Sequence, residues 1–349
     1  FISLKNEIRK NAKEIFGFFN NRKVEIRVIS GDNPVTVSTI AKQAGIKEYE
    51  KYVDCRELES YEDIKKAVKK YTVFGRVNPE QKKQIIKALK ELGLKVAMTG
   101  DGVNDILAMK ESDCSIAMGS GADVARETAQ VVLLDSDFGN MRDIVYEGRK
   151  NINNITRSAS LFTYKNIFSL LLSIYSIVFA MQYPLEPNQV SLGSAFTIGI
   201  PAFLLTFEEN QKKQQNGDFL RKVFTDSLPA AITSFLAIVA MVGFSILFNV
   251  GEQEITTACS YLFFTGGFLI LYKIIRPLNK YRASVMALCI LGILLTINIM
   301  PNFFAIKEIS GRATALVTLF AIAEFALIRW ITLILEKFKR NKKESAVKN

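Results

Sequence analysis

The segment Met98–Asp105, with the sequence MTGDGVND, carries the residues best suited to chemistry in this chain. An apolar segment, 94–98, precedes it, and a helical pattern follows it. Two glycines flank Asp101, and open parallel sheets place their ligands at this carboxyl edge of a strand. Asp101, Asn104 and Asp105 would then present oxygen atoms to one small space, as Mg²⁺ or another hard cation requires. An Asx turn followed by a helix N-cap is the alternative interpretation.

A second acidic turn and a lysine extend this chemistry. The sequence Ser-Gly-Asp-Asn-Pro at 30–34 follows an apolar strand and includes Asp32, and Lys82 lies in the first turn of the predicted helix 79–92. The chain has no GxxxxGK[ST] sequence, which argues against a P-loop. Carboxylates that hold a metal, beside a lysine that neutralises a phosphoryl group, are typical of phosphoryl transfer. We therefore expect Asp32, Lys82 and the two acidic residues of MTGDGVND to lie together.

Strands and helices alternate through the first half of the chain, which predicts βαβ units and a doubly wound α/β parallel sheet. The predicted strands are 24–29, 71–75, 94–98, 114–118 and 130–134, and the predicted helices are 1–22, 34–44, 60–70, 79–92 and one that begins near residue 122.

The composition changes near residue 160 of the 349 residues. Charged residues recur before that point, and long apolar segments separated by short basic loops follow it. Each apolar segment has close to the ~20 residues that span a bilayer core. We predict an α/β domain over 1–155 and an all-α transmembrane bundle over 156–349. Its six helices are predicted at about 161–181, 190–207, 228–248, 255–272, 283–300 and 313–335.

The net charge of +11 is concentrated in alternate loops of the apolar half. The loop 209–227, the loop after residue 272 and the C-terminal tail are basic, whereas the other loops contain only Lys307 and Arg312. This asymmetry predicts a multi-pass protein of the cell membrane whose soluble domain and C-terminus are cytoplasmic. The lipid bilayer is therefore the expected partner of the basic residues, and nucleic acid is not. Histidine is absent and the four cysteines are scattered, so a zinc site is not expected.

Four motifs resemble, in order and spacing, those of the phosphorylation domain of P-type cation-transporting ATPases, which belong to the haloacid dehalogenase superfamily. They are SGDN at 30–33, NPEQK at 78–82, MTGDGVND at 98–105 and IAMGSG at 116–121. The similarity continues through EGR at 147–149 and Asn153-Asn154 into the first membrane helix. The resemblance implies cation transport driven by ATP through an aspartyl-phosphate intermediate, with Mg²⁺ and ATP as cofactors.

The resemblance also implies roles for individual residues. Asp101 would bind the catalytic Mg²⁺, Asn104 and Asp105 would hold the phosphate and metal environment, and Lys82 would balance charge on the phosphoryl group. The residues implied on the nucleotide side are Ser30, Gly31, Asp32, Arg76 and Gly102. Serine stands at position 30 where many members have threonine, and its hydroxyl can serve similarly.

Several parts of such a pump have no counterpart in this sequence. They are the DKTGT motif with the phosphorylated aspartate, the nucleotide-binding domain, the TGES-bearing actuator domain and the first four membrane helices. We therefore expect the C-terminal part of a pump, inactive by itself, whose partner is the missing N-terminal part. Six membrane helices after the soluble domain resemble the calcium-pump-like branches, so Ca²⁺ is the favoured ion, with Mg²⁺, another cation or a polyamine as alternatives. A non-catalytic, truncated or split membrane protein that binds Mg²⁺ or phosphate is the other hypothesis.

Polar residues in the apolar segments are candidates for the transported-ion site. In the first segment Asn166, Ser169, Ser173 and Ser176 share one helical face, which would line an ion path or form a helix-packing stripe. In the second, Gly199-Ile-Pro201 would break the helix and free carbonyl groups, or simply kink it.

Two acidic positions complete this set of candidates. Glu208, followed by Glu209, lies at a predicted cytoplasmic helix end. Glu324 lies near the centre of the last segment, where it would bind an ion or proton or pair with a buried Lys or Arg.

Overall fold

The computed structural model describes residues 8–208, 219–247 and 251–348. The chain divides into two units, Phe1–Val145 and Tyr146–Asn349. The division falls ten residues before the predicted boundary at 155/156, because one uninterrupted helix, Met141–Val178, already begins in the first half. The start of the predicted helix 1–22, Glu209 and the first part of the basic loop 209–227 lie outside the described residues.

The first unit alternates short strands with helices, as the sequence predicted. The elements are α1 Ala12–Asn20, β1 Val28–Ile29, α2 Pro34–Ala44, β2 Tyr52–Asp54, α3 Tyr61–Lys70, β3 Val73–Gly75, α4 Pro79–Glu91, β4 Ala97–Gly100, α5 Ile106–Glu111, β5 Cys114–Met118, α6 Asp123–Thr128 and β6 Val131–Leu133.

The strands form two parallel three-stranded sheets, in the orders β1-β3-β2 and β4-β5-β6. Only the end of the predicted strand 24–29 joins its sheet, where Val28 pairs with Val73. The predicted strand 94–98 is shifted toward the MTGDGVND loop, because Val96 donates its N–H to the Asp113 carboxylate instead of to a neighbouring strand. Strand β2 was not predicted, since three residues are too few to show a period of two.

Helix α4 illustrates how local sequence sets an element of the site. Asn78 and Gln81 form a reciprocal capping box, and Pro79 occupies the first turn, where its missing N–H costs nothing. The amphipathic pattern then buries Ile85 and Leu89 against the first sheet's core. With its start and buried face both defined, α4 presents Lys82 on its first turn toward the second sheet's loops.

The second unit consists of helices. They are α7 Met141–Val178, α8 Pro187–Ser194, a π-helical segment Ala195–Gly199, α9 Ile200–Leu205, α10 Phe219–Leu247, α11 Glu252–Ile275, α12 Lys280–Ile299 and α13 Gly311–Lys348. Within the described residues six helical stretches are long and apolar enough to cross a membrane, as predicted. The first differs most from its prediction at 161–181, because α7 starts twenty residues earlier and ends at Val178.

The core of this unit lies where α10, α11 and α13 pack together and buried side chains of α7 join them. Tyr164 and Phe168 of α7 stack against Phe263 of α11, with ring centroids 6.4 and 5.1 Å apart. The buried face of α7 therefore carries large apolar and aromatic side chains. Burying each such side chain stabilises the bundle by roughly 1.5–3 kcal/mol on an aqueous scale, though lipid contacts offset part of this.

Candidate functional site

A buried ion pair forms the base of the MTGDGVND loop. The Lys82 Nζ donates to Asp105 Oδ1 at 2.7 Å, and both side chains are only about one-tenth exposed, at 12% and 11%. The other oxygen of Asp105 accepts from the backbone N–H of Asp101 at 3.3 Å. Because Asp105 bonds both to α4 and to the loop after β4, it fixes the lysine beside that loop. The predicted proximity of Lys82 to Asp105 is thus observed.

Asp101 is the side chain that this arrangement leaves available. Its backbone carbonyl accepts from the N–H of Ala122 at 2.8 Å, which ties the loop to the start of α6. Its side chain is exposed, and its carboxylate makes no hydrogen bond or ion pair with the residues that the structure describes. Asn104 is exposed beside it. The loop is therefore held by its backbone while a carboxylate projects from it.

The donor set fits Mg²⁺ bound together with a phosphate. Asp101 and Asp105 offer carboxylate oxygens, and in the described part of the chain they belong to no cluster of three His, Cys, Asp or Glu residues. Mg²⁺ commonly uses one or two carboxylates and completes its octahedron with water and phosphate oxygens. A site with few protein ligands next to a lysine is therefore suited to a metal that arrives with its substrate.

The two glycines of this loop, Gly100 and Gly102, differ in how closely their neighbours pack. Substitution by alanine should therefore change the free energy of unfolding by different amounts at the two positions. A Cβ on Gly100 would lie 2.5 Å from Asp105 Cβ, whereas one on Gly102 would have its nearest neighbour at 4.0 Å. We expect Gly100→Ala to lower the free energy of unfolding by about 1–3 kcal/mol through overpacking. The matched variant Gly102→Ala should change it by less than about 0.5 kcal/mol. Thermal unfolding of the purified variants measures both, and equal losses would contradict this packing.

Of the residues expected on the nucleotide side, Ser30, Gly31, Asp32 and Arg76 lie at the carboxyl edge of the first sheet, whereas Gly102 follows β4 of the second. The N–H of Arg76 donates to the Asp32 carbonyl at 2.8 Å, and that of Val77 donates to the Ser30 carbonyl at 3.0 Å. The loops after β1 and β3 are thereby joined. Asp32 is exposed, whereas an Arg76 Nη1 lies 3.5 Å from the carboxylate of Asp54. A nucleotide contact by Arg76 remains a prediction and would have to compete with this pair.

The predicted polar stripe of α7 does not lie on the helix's buried face. Asn166 is exposed and Ser169 and Ser173 are half-buried, while Tyr164 and Phe168 are fully buried. Sequence reasoning missed Tyr164, whose hydroxyl donates to the Ser234 Oγ at 3.2 Å. In the sequence, a tyrosine at helical spacing looks like an ordinary core residue. The pattern therefore did not indicate that the Tyr164 hydroxyl group would bond to another helix.

The predicted helix break at Gly199-Ile-Pro201 takes the form of a π-helical segment, Ala195–Gly199, which ends two residues before the proline. Pro201 has no N–H to donate to the carbonyl of Thr197 four residues earlier. Thr197 is fully buried, and its hydroxyl donates to the Gly193 carbonyl at 2.7 Å. Such π-helical turns occur frequently at functional sites. The second span is therefore wound differently at its centre, although it is not unwound.

Glu208 is held by two arginines in an arrangement that we call the Glu208 clamp, formed with Arg157, Arg282 and Asn279. Its oxygens accept from Arg157 at 3.0 Å, from Arg282 at 2.8 and 2.9 Å and from Asn279 at 2.7 Å. Burial acts to raise the pKa of Glu208, but these hydrogen bonds outweigh it and hold the pKa below its usual value. The carboxylate is already satisfied, which argues for a structural role and against a transported-ion ligand.

Glu324 has the opposite surroundings. Its side chain is fully buried, and neither carboxyl oxygen has a hydrogen-bond partner. The expected alternative of a pair with a buried Lys or Arg is therefore not found among the described residues. An orphaned polar group of this kind needs an explanation.

Comparisons with known proteins agree with this geometry. The family model described as haloacid dehalogenase-like hydrolase matches residues 1–113. The chain is 38% identical over 317 residues to the probable cation-transporting ATPase exp7 of Streptococcus pneumoniae, covering 88% of this chain and 40% of the relative. It is 33% identical over 346 residues to the calcium-transporting ATPase CtpE of Mycolicibacterium smegmatis, covering 94% and 43%. For the calcium-transporting ATPase of Bacillus subtilis the identity is 30% over 285 residues, covering 77% and 31%.

A parallel-sheet domain with a lysine–carboxylate pair at its strand ends, followed by membrane-spanning helices, defines a membrane protein with a haloacid dehalogenase-like domain. The chain is homologous over most of its length to the P-type cation-transporting ATPases and belongs to that family. It spans about two fifths or less of the length of these three curated relatives.

Proposed function

We propose that this chain is the C-terminal part of a pump that uses ATP to move a cation across a membrane through an aspartyl-phosphate intermediate. The observation that carries the proposal is the available Asp101 carboxylate beside the buried Lys82–Asp105 pair. This combination offers a metal ligand and a fixed positive charge at one strand edge. Both are needed where a phosphoryl group is transferred.

The roles of the residues follow from their contacts. When bound, Mg²⁺ would neutralise charge on the phosphoryl oxygens. Asp101 would bind it with its exposed carboxylate, and Asp105 would hold both the loop and the lysine in place. Lys82 is nine-tenths buried, so its ammonium group stays oriented and its charge is screened weakly. Ser30 and Asp32, at the edge of the first sheet, would face the bound ATP.

The sheet edges support a role for a further strand from the rest of the pump. β1 and β4 each have one edge without a strand partner among the described residues. Ile29 of β1 and Val96, just before β4, pack against the same two hydrophobic clusters. We propose that a strand that ends in the DKTGT motif pairs between β1 and β4. Its aspartate would then arrive at the carboxyl edge, next to Asp101.

Ca²⁺ is the transported ion that we propose. The relatives from M. smegmatis and B. subtilis are named calcium-transporting ATPases. Ca²⁺ binds six to eight oxygen ligands, so the described candidates Ser169, Ser173 and Thr197 would contribute only part of its site. Asn166 remains a candidate that would require a partner helix, because it is exposed on α7.

We further propose that the soluble domain, the basic loops and the C-terminus are cytoplasmic in the cell membrane. The basic residues Arg221, Lys222, Lys273 and Arg276 lie at the ends of α10 and α11 that this topology assigns to the cytoplasm.

Phosphorylation by radiolabelled ATP tests the proposed function. Membranes that contain the complete gene product are incubated with Ca²⁺, Mg²⁺, Mn²⁺ or K⁺ beside the Mg²⁺ that the nucleotide needs. We expect an acid-stable, hydroxylamine-sensitive phosphoprotein that depends on Ca²⁺. Dependence on another cation would retain the pump and reassign its ion. A well-inserted protein that forms no phosphoprotein with any cation would overturn the pump and favour the non-catalytic hypothesis.

A further inference from the structure

Glu324 lies at the centre of the last membrane-spanning helix. It is thirteen residues after Gly311 and eleven before Leu335, the ends of the candidate span. Its side chain is 0% exposed, and both oxygens lack a hydrogen-bond partner. An ionised carboxylate at such a depth costs about 2.5–3.5 kcal/mol even on insertion scales, and more without a partner. The carboxyl group in this packing is therefore the neutral, protonated form.

Two hydroxyl groups from other helices lie near this carboxyl group without a hydrogen bond to it. Ser234 of α10 is the polar side chain next to it, and Tyr164 of α7 in turn contacts Ser234. The Tyr164 hydroxyl donates to Ser234 Oγ at 3.2 Å and lies 3.5 Å from the Phe263 carbonyl oxygen. We call Glu324, Ser234 and Tyr164 the mid-membrane cluster. It joins three helices through polar atoms in an otherwise apolar core.

The cluster is too small and too weakly charged for a divalent cation. Ca²⁺ requires six to eight oxygen ligands, and the cluster offers one carboxyl group, two hydroxyl groups and the Phe263 carbonyl. Packing is also tight, because a Cβ on Gly266 would lie 2.0 Å from Ser234 Oγ and 2.8 Å from the Tyr164 hydroxyl oxygen. A proton needs neither the space nor the ligands.

No Lys or Arg among the described residues forms an ion pair with Glu324, and this includes the half-buried Lys165 next to Tyr164 on α7. Cys259 of α11 is fully buried in this core. Asp226 of α10 and Lys273 of α11 lie eight and seven residues from Ser234 and Gly266, or about 10–12 Å along each helix, and Lys273 contacts Asp226. Arg221 and Lys222 lie still further toward the end of α10, and Arg329, five residues from Glu324 on α13, is exposed. The charge of Glu324 therefore depends on whether its carboxyl group holds a proton.

We propose that Glu324 is a proton-binding site of the transport cycle, protonated in the conformation described here and ionised in another. On release the proton passes to water, and the hydroxyl groups of Tyr164 and Ser234 can turn to donate to the carboxylate that remains. The proposal rests on the proposed pump function, because ionisation requires a conformation in which water reaches the cluster.

The fold offers a physical link between this cluster and the π-helical segment. Gly266 contacts Ser234 and Tyr164, and the next residue, Gly267, lies against Thr197, where a Cβ would be 2.7 Å from Thr197 Oγ1. One glycine pair on α11 thus touches both sites. A change in the winding of Ala195–Gly199 would therefore displace α11, the helix whose Gly266 packs against the mid-membrane cluster.

Proton flux in reconstituted vesicles tests the site. The complete pump is placed in liposomes that contain a pH-sensitive dye, and ATP-driven cation uptake and proton counter-flux are recorded together. Glu324→Gln mimics the protonated carboxyl group, so we expect cation uptake to persist and the number of protons moved per cation to fall. The matched control is Glu308→Gln, the same change at an exposed loop position before α13, which should leave the ratio unchanged.

Infrared spectroscopy gives a second readout that does not depend on turnover. A carbonyl band of a protonated carboxylic acid should be present in the purified protein at neutral pH and absent in Glu324→Gln. An unchanged proton-to-cation ratio, or a band that persists in the variant, would overturn the proposal. If the wild-type protein shows no ATP-driven uptake, the proposed function fails, and the infrared band still decides whether Glu324 binds a proton.

Discussion

Replacing Asp101 with asparagine should abolish phosphoenzyme formation by the complete pump. The exposed Asp101 carboxylate is the group of the loop left available for Mg²⁺, whereas Asp105 is already bonded to Lys82. Asparagine has almost the same shape but no charge, so the loop should keep its backbone bonds to Asp105 and Ala122. We expect phosphoenzyme to fall by about a hundredfold or more, the scale on which a lost electrostatic contact to a reacting group acts.

Two measurements make this result specific to the metal site. Radiolabelled ATP quantifies phosphoenzyme, and titration with Mg²⁺ should show that higher concentrations restore little of it. The control is Asp135→Asn, the same change at another exposed position of the domain, which should leave phosphorylation near the wild-type level. Normal phosphorylation of Asp101→Asn would refute the assignment of Asp101 as the metal ligand.

Replacing Glu208 with glutamine should destabilise the membrane unit strongly. The exposed fractions of the Glu208, Arg157 and Arg282 side chains are 9%, 10% and 7%. Without the carboxylate two buried guanidinium groups would face each other uncompensated. Removing one partner of a buried ion pair typically costs about 3–5 kcal/mol, and we expect a loss of that size in the free energy of unfolding.

The clamp can be separated from ordinary surface charge by comparison. Glu14→Gln removes the partner of Arg142 in a pair whose side chains are 48% and 73% exposed, and little change is expected there. Combining Glu208→Gln with Arg157→Met should cost less than the sum of the single changes, because the second change removes one uncompensated charge. Thermal unfolding in detergent measures each variant. A Glu208→Gln protein as stable as the wild type would show that the clamp does not support the fold.

The parts that could be predicted depend on residues close together in the chain. Local sequence motifs predict the MTGDGVND loop and the capped start of α4. Hydrophobic periodicity and the bilayer thickness predict the lengths of the apolar segments. These features gave the fold class, the family and the position of Asp101 next to a strand end. Strand boundaries were less predictable, since only Val28–Ile29 of the segment 24–29 finds a ladder partner.

What the tertiary structure decided are the contacts between distant residues. Glu208 was a candidate ion ligand until its bonds to Arg157 and Arg282, 51 and 74 residues away, showed that its charge is already balanced. The stripe of Asn166, Ser169 and Ser173 matched the helical period, but side-chain contacts with α10 and α11 buried a different face of α7.

The sequence by itself thus determined the class of protein, the loop that carries its chemistry and the number of apolar spans. Only the tertiary structure decided which charges are paired and which are not, leaving Glu324 alone beside Ser234 and Tyr164. The physical reason is that chain-local patterns report on backbone conformation and on average burial. The state of a buried charge depends on the few groups that packing brings within a hydrogen bond of it.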